Sequence, residues 1–212
     1  MRGRFWGNSE FSAWFSRIDD KDDTLSDGAG SANLTLRTSD WSLGTAYDNV
    51  GRRFNPALGF VRRRDMKSYA TNATYNPFIG DSFFRSYSVT ASASLINGQD
   101  NRKQSSDLGL NGNFRFRTND RITWSVGRNF ERLEESFFLR RDVELLPGDY
   151  VSNAASVGFR TDNSKFFSAN GNLQFSEFFG GDRTTYRVGI GLRTGNLTCP
   201  LPMARSTQPL SE

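Results

Sequence analysis

The 212-residue chain has no histidine and a single cysteine, Cys199. The lack of histidine excludes Ser-His and Cys-His catalysis and every metal site that needs an imidazole ligand. One cysteine cannot form an internal disulfide. We therefore expect a non-enzymatic protein with no catalytic residues, no cofactor and no metal site.

Long apolar runs are also lacking. Hydrophobic residues make up only 36% of the chain, and no stretch of about 18 apolar residues could form a transmembrane helix. The lack of a long apolar run does not exclude a membrane β-barrel, because only alternate residues of its strands face lipid. The 19 Phe, 6 Tyr and 4 Trp suit either interfacial aromatic girdles or the core of a β-sandwich.

A strong excess of charge of one sign is absent. The 27 Lys and Arg exceed the 23 Asp and Glu by only four, and basic stretches such as 62–64 alternate with acidic ones such as 19–23. We therefore expect no nucleic-acid partner. Residues 1–8 carry charge but no apolar segment of the kind found in a signal peptide, and this favours a piece of a longer exported chain.

Period-two alternation of apolar and polar residues is the main structural signal. It is clear in 87–95, 108–116, 122–126, 167–175 and 186–192, weaker near 32, 41, 69 and 155, and irregular in 11–18. These runs predict about ten strands whose polar face is rich in Ser, Asn, Thr and Gly. A ten-residue strand tilted by about 45° covers about 23 Å, close to the apolar band of a membrane barrel.

The links between these runs alternate in length. Most short links share an Arg-Thr signature at 37–40, 117–120, 160–163 and 193–196, whereas longer links occupy 19–30, 50–64, 97–103 and 134–149. Up-and-down barrels of the bacterial outer membrane have this asymmetry, with tight periplasmic turns and longer external loops. The pattern predicts an all-β protein: an antiparallel up-and-down transmembrane β-barrel of about ten strands over 1–196, part of a larger barrel. An irregular proline-containing tail is expected over 197–212.

Arginines recur where the predicted strands meet the short turns. The members of this candidate periplasmic-mouth ring are Arg37, Arg115, Arg117, Arg121, Arg160 and Arg193. Rings of Arg or Lys favour anions in pores. The alternative is local pairing with Asp40, Asp120 and Asp162 in the same turns, which contributes little stability.

The loop at 54–65 has a distinctive sequence, and its candidate functional residues are Phe54, Asn55, Pro56, Gly59, Phe60, Arg63 and Asp65. It resembles the F-N-P-x-x-G-F-V-x-R-x-D loop of an uncharacterised bacterial outer-membrane family, domain of unknown function 5916. The segment 41–49 and the P-G-D-Y sequence at 147–150 resemble the same family, over residues 9–194 in all. The resemblance implies a barrel that follows a domain similar to family 9 carbohydrate-binding modules, and it implies no substrate.

Each charged loop has a functional and a structural interpretation. The loop at 50–65 would fold inward as a constriction or bind anionic sugars or lipopolysaccharide phosphates through its arginines. In the structural interpretation it is an external loop ordered by its phenylalanines and by turns at Pro56 and Gly59. The acidic loop at 19–30 would hold Ca²⁺, but it lacks the EF-hand spacing and is expected to be solvated. No carboxylate pair stands out in the charge cluster at 134–144.

Two functions follow from these patterns. The first is a porin-like segment of a β-barrel in the outer membrane of a Gram-negative bacterium, for passage of solutes or for anchoring a binding domain. Its expected partners are outer-membrane lipid, the barrel assembly machinery and a saccharide or other small solute. The alternative is a soluble all-β carbohydrate-binding module, which would bury its aromatic residues between two sheets instead of exposing them.

Overall fold

The chain is all-β in the computed structural model, which describes residues 1–5, 8–18, 27–55, 61, 63–80, 83–140, 143–178, 181–194 and 197–207. The first seven strands are β1 (Arg2–Phe5), β2 (Ser9–Ile18), β3 (Asp27–Arg37), β4 (Trp41–Val50), β5 (Met66–Tyr75), β6 (Phe84–Asn97) and β7 (Lys103–Phe116). The next seven are β8 (Arg121–Leu133), β9 (Phe137–Arg140), β10 (Val143–Leu145), β11 (Gly148–Arg160), β12 (Phe167–Phe178), β13 (Gly181–Thr194) and β14 (Leu197–Thr207).

Twelve of these strands follow one another in a single antiparallel sheet, in the order β1 to β8 and then β11 to β14. The ten predicted strands are all present, as β2 to β8 and β11 to β13. β1 and β14 stand at the two ends of the order, and no described residue of one pairs with the other, so the sheet is not closed into a barrel. No helix in the described part of the chain has the length and apolar character needed to cross a membrane.

Two segments differ from their predictions. Residues 197–207 of the predicted irregular tail form β14, which pairs with β13 and places Pro200 opposite Gly191 and Pro202 opposite Gly189. Proline is tolerated in a strand at the end of a sheet, because its missing N–H can lie on the unpaired side, and two prolines two residues apart share one side. The predicted loop at 134–149 contains the two-stranded sheet of β9 and β10.

The described chain divides into two compact units. The first unit comprises 1–74, 92–108 and 130–149, and the second comprises 75–91, 109–129 and 150–212. In both units successive side chains of a strand point to opposite faces of the sheet, so the alternation in the sequence separates an apolar face from a polar one.

In the first unit, the register of β2, β3 and β4 separates the two kinds of residue. Phe11 lies opposite Leu34, and Leu34 lies opposite Thr45, whereas Ser12 and Asn33 form the neighbouring pair on the other face. Phe15 is 75% exposed on the apolar face. Apolar side chains therefore line an exposed surface of these three strands.

A small buried cluster lies where the loop after β4 begins. It consists of Ala29, Val50 and Phe54, and Ile18, Val61 and Met66 pack against it. Phe54 is only 5% exposed. This cluster anchors the first residues of the predicted loop motif to the sheet.

In the second unit, β11, β12 and β13 repeat the same separation. Apolar residues lie opposite one another in rows such as Val157, Leu173 and Tyr186, while the polar face carries the row Ser156, Gln174 and Thr185. The apolar side chains remain half exposed, with values such as 51% for Phe175 and 47% for Val188. The second unit thus presents an exposed apolar face and a polar face on the same strands.

Glycine 171 makes room for an aromatic side chain on the apolar face. It lies directly opposite Phe159, and a Cβ at position 171 would overlap the edge of the Phe159 ring, with its Cδ1 and Cζ atoms at 3.1 Å. Glycine thus lets a large ring of one strand cover the backbone of its neighbour.

We predict that Gly171→Ala lowers the free energy of unfolding by about 1–3 kcal/mol, because the ring must move or the strands must separate. The measurement is a denaturant unfolding curve. Gly80→Ala is the control, since nothing lies within 4 Å of a Cβ there. In a Phe159→Ala background the cost of Gly171→Ala should shrink, and an equal cost in both backgrounds would contradict this account.

Candidate functional site: a basic cavity beside two clamped turns

The turns after β7 and after β11 carry two copies of the Arg-Thr signature and bind each other. The first turn is closed by a hydrogen bond from the Asn119 N–H to the Phe116 carbonyl at 3.0 Å, and Asn119 adopts a left-handed backbone with φ of 69°. Asparagine tolerates this conformation better than most residues. The Asn119 side-chain amide then donates to Asp162 of the second turn at 3.1 Å.

Asp120 is the centre of this contact between the turns. Its carboxylate accepts two hydrogen bonds from Lys165 Nζ at 2.7 and 2.8 Å and one from the Asp162 N–H at 2.9 Å. The Thr118 hydroxyl donates a further bond at 2.7 Å. We call these residues of 118–120 and 162–165 the turn clamp.

The turn clamp shifts the pKa of both of its acids. Hydrogen bonds from Lys165, from Thr118 and from the Asp162 N–H lower the pKa of Asp120 from 3.8 to about 2. The pKa of Asp162 is also lowered, chiefly by the Ser164 N–H and further by the Asn119 amide. Both carboxylates are therefore negatively charged and occupied within the clamp.

A cavity of about 300 Å³ lies on the second unit next to the turn clamp. Its lining includes Arg121, Thr123, Arg160, Asn170, Asn172 and Arg187. Arg121 directly follows Asp120, and Arg160 ends β11 just before the second turn. The lining contains no acidic side chain.

Strand register brings these residues together on the polar face. Asn170 of β12 lies opposite Arg160 of β11, and two residues along β12 the side chain of Asn172 lies opposite Arg187 of β13. Gly158 lies opposite Asn172, and a Cβ there would approach the Thr123 hydroxyl to 2.9 Å. Glycine at 158 thus leaves space in the cavity that a side chain would fill.

The six arginines of the predicted ring lie in different environments. Arg121 and Arg160 share the cavity, whereas Arg115 donates to the Asn119 side-chain oxygen and Arg117 Nη2 donates to the Gly80 carbonyl at 3.0 Å. Arg193 lies exposed at the end of β13, and its backbone N–H bonds to Phe166. Arg37 belongs to the first unit.

The proposed local pairing of these arginines with aspartates of their own turns does not describe Asp120. Its ion-pair partner is Lys165 of the neighbouring turn, at 2.7 Å. The repeated turn signature marks two of the turns that form the turn clamp. The ion-pair partner of Asp120, however, depends on which turns are adjacent. Arg187 is not among the predicted site residues, because it lies in the middle of a strand. Its position on the polar face of β13 is the only sequence signal for its place in the cavity.

The loop motif of the first unit is held by two polar residues. Asp65, with φ of 56°, accepts from Arg52 Nε at 3.2 Å and from the Gln99 N–H at 3.3 Å. The Gln99 side-chain amide in turn donates to the carbonyls of Val50 at 3.0 Å and Met66 at 3.2 Å. Gln99 therefore connects the loop after β6 to both ends of the loop after β4.

The arginines of this loop also have partners within the first unit. Arg63 donates to the Gln104 side-chain oxygen at 2.6 Å, and Arg64 donates to Asn55 at 2.6 Å. Pro56, Gly59 and Phe60 of the predicted motif lie outside the described residues. The described part of the motif is an ordered structure rather than a set of uncommitted cations.

The described residues of the other charged loops form no assembled site. The acidic residues of 19–23 and Arg141 and Asp142 lie outside the described residues, and no cluster of three or more potential ligand residues for a metal ion occurs within the described ranges. The aspartate of the P-G-D-Y sequence, Asp149, accepts a two-pronged contact from Arg132 at 2.7 and 2.9 Å. Such paired geometry orients β11 where it begins.

The lowered pKa of Asp120 predicts a specific pH dependence. Because its folded-state pKa lies below the ordinary value of 3.8, the stabilisation is complete above about pH 4 and is lost as the pH falls through about 2. NMR titration of the Asp120 carboxyl carbon should show this low midpoint. In Lys165→Met the midpoint should rise towards the ordinary value, and an unchanged midpoint would show that Lys165 does not hold the carboxylate.

Comparison with known proteins gives one family. No curated protein and no solved structure matches the chain significantly. The model of a family described as a domain of unknown function, DUF5916, matches residues 4–196. This range includes the loop motif, the turn clamp and the basic cavity, and the chain therefore belongs to the DUF5916 family.

Proposed function

We propose that this chain is a non-enzymatic segment of an outer-membrane β-barrel, serving passage of solutes or anchoring of a binding domain. The observation that carries the proposal is the exposed apolar face that each unit presents on the same strands as a polar face. A soluble monomer rarely exposes large contiguous apolar surface, whereas a membrane strand must place such a face against lipid.

The apolar residues of the second unit are continuous across three strands. Rows of facing residues join β11, β12 and β13 from Ala155 and Phe175 at one end to Phe167 and Leu192 at the other. Most of these side chains are large and exposed, among them Val157, Phe159, Tyr186, Val188 and Ile190. A continuous apolar band of this kind supports contact with hydrocarbon.

An aromatic cluster in the second unit supports the same proposal. The ring centroids of Phe83 and Phe84 each lie 5.3 Å from that of Phe116, and Phe84 also lies 5.7 Å from Phe114. Tyr87 extends the cluster at 6.2 Å from Phe114. These residues flank the start of β6 and the end of β7, where an aromatic girdle at the membrane–water interface is expected.

Strand length is consistent with a membrane span. The ten strands from β2 to β8 and β11 to β13 are between 10 and 14 residues long. Membrane strands need about 9–11 residues, whereas strands of globular proteins are most often about 5–6 residues long. In the alternative, a soluble carbohydrate-binding module, the apolar residues would be buried between sheets, and their exposed fractions weigh against it.

Refolding tests the proposal directly. We expect the full chain to fold with β-rich circular dichroism in detergent micelles, and to migrate differently on a gel before and after boiling. Heat-dependent mobility of this kind indicates a detergent-bound, folded β-sheet structure that boiling unfolds. A chain that folds and stays monomeric without detergent would contradict the membrane assignment and favour the soluble module.

Neighbouring residues on opposite faces give a sharper test. Leu173 lies in the apolar row between Val157 and Tyr186, and Gln174 lies in the polar row between Ser156 and Thr185. Leu173→Arg should reduce the stability of the lipid-inserted state by about 2–4 kcal/mol, because it places a charge against hydrocarbon. Gln174→Arg is the matched control and should have a much smaller effect in denaturant titrations in lipid vesicles. Equal effects of the two variants would contradict a lipid-facing role for the apolar face.

A further inference from the structure

We infer that the cavity lined by Arg121, Arg160 and Arg187 binds a small multivalent oxyanion, such as a solute with several phosphate or carboxylate groups. The cavity lies on the polar face of the second unit, so its role in solute passage rests on the proposed function. The binding itself does not depend on a membrane. The cavity has three features that suit such a ligand.

The first feature is uncompensated positive charge. No hydrogen bond or ion pair connects the guanidinium groups of Arg121, Arg160 and Arg187 to any residue that the structure describes. Planar guanidinium groups bind carboxylate and phosphate oxygens through paired hydrogen bonds. Three such groups around one cavity of about 300 Å³ would repel one another less when an anion lies between them.

The second feature is that the acids close in sequence to Arg121 and Arg160 are bound within the turn clamp. Asp120 adjoins Arg121, but its carboxylate is bound by Lys165, Thr118 and the Asp162 N–H. Asp162 accepts from the Ser164 N–H at 2.9 Å and from the Asn119 amide at 3.1 Å. The clamp therefore leaves the cavity arginines available to a ligand while the carboxylates next to them in sequence stay occupied.

The third feature is the arrangement of the remaining polar groups. The register puts Arg160 and Arg187 two strands apart and offset by two residues, so their Cα atoms are about 12 Å apart. Asn170 and Asn172 lie between them on β12, and Asn172 already donates a long bond of 3.5 Å to the Val157 carbonyl. A ligand with anionic groups at two ends matches this spacing better than a single small ion.

Two other cavities found among the described residues lack this combination. A cavity of about 380 Å³ on the first unit has Asn33, Asn72, Ser94 and the acidic Asp107 in its lining, and no arginine. A second cavity on the second unit includes Arg183 but also Glu177 and Asp182. Only the cavity beside the turn clamp, among these three, unites several arginines without an acid.

The test is calorimetric titration of the full chain with pyrophosphate and, separately, with citrate, in whichever condition gives the folded β-rich protein. We expect saturable binding of at least one of the two, and the stronger ligand identifies the phosphate or carboxylate preference. Arg160→Gln and Arg187→Gln should each weaken binding about tenfold or more, since each removes a charged hydrogen-bond donor. Arg187→Lys should restore part of the affinity.

Arg183→Gln is the matched control, because it removes the same charge from the same strand four residues outside the cavity. Its affinity should stay within a factor of about two of the parent chain, since distant surface charges are screened by salt. Equal losses in all three glutamine variants, or no saturable binding by the folded parent chain, would overturn the inference. Gel mobility with and without boiling tests folding in detergent independently of ligand binding. Failure of the membrane proposal is therefore distinguishable from failure of ligand binding.

Discussion

The register of β11, β12 and β13 determines which side chains share a face of the second unit. Because side chains alternate along a strand, a shift of one residue would move Leu173 to the polar face and Asn172 to the apolar face. The observed register sets Val157 opposite Leu173 and Asn172 opposite Arg187. Both the exposed apolar band and the basic cavity are consequences of this single geometric constraint.

The turns after β7 and β11 bind each other at one end of the strands. Asp120 joins the turn after β7 to the turn after β11 through Lys165 at 2.7 Å. An exposed ion pair of this kind contributes little energy by itself, but here it belongs to a network that also includes Asn119 and Asp162. The network joins the start of β8 to the end of β11 and binds the two acids that lie close in sequence to the cavity arginines.

In the first unit, the connection after β4 is held by burial of a side chain as well as by hydrogen bonds. Phe54 enters the cluster of Ala29 and Val50, while Gln99 bonds to the carbonyls of Val50 and Met66. Loops that carry polar backbone groups must satisfy them, and a glutamine amide directed at two carbonyls does so without regular secondary structure. The described part of the loop motif is therefore explained by Phe54 and Asp65, which hold the two ends of the connection after β4.

Local sequence patterns were enough to predict the all-β class, the approximate positions of ten strands, the alternation of apolar and polar faces, and the family. Alternation is a local property, and each strand expresses it independently of its partners. The folded structure was needed to show that Lys165 rather than an arginine pairs with Asp120, that 197–207 form a strand, and that Arg187 joins Arg121 and Arg160 at one cavity. These contacts join residues that are far apart in the chain, so they depend on strand neighbours and register, which local patterns do not specify.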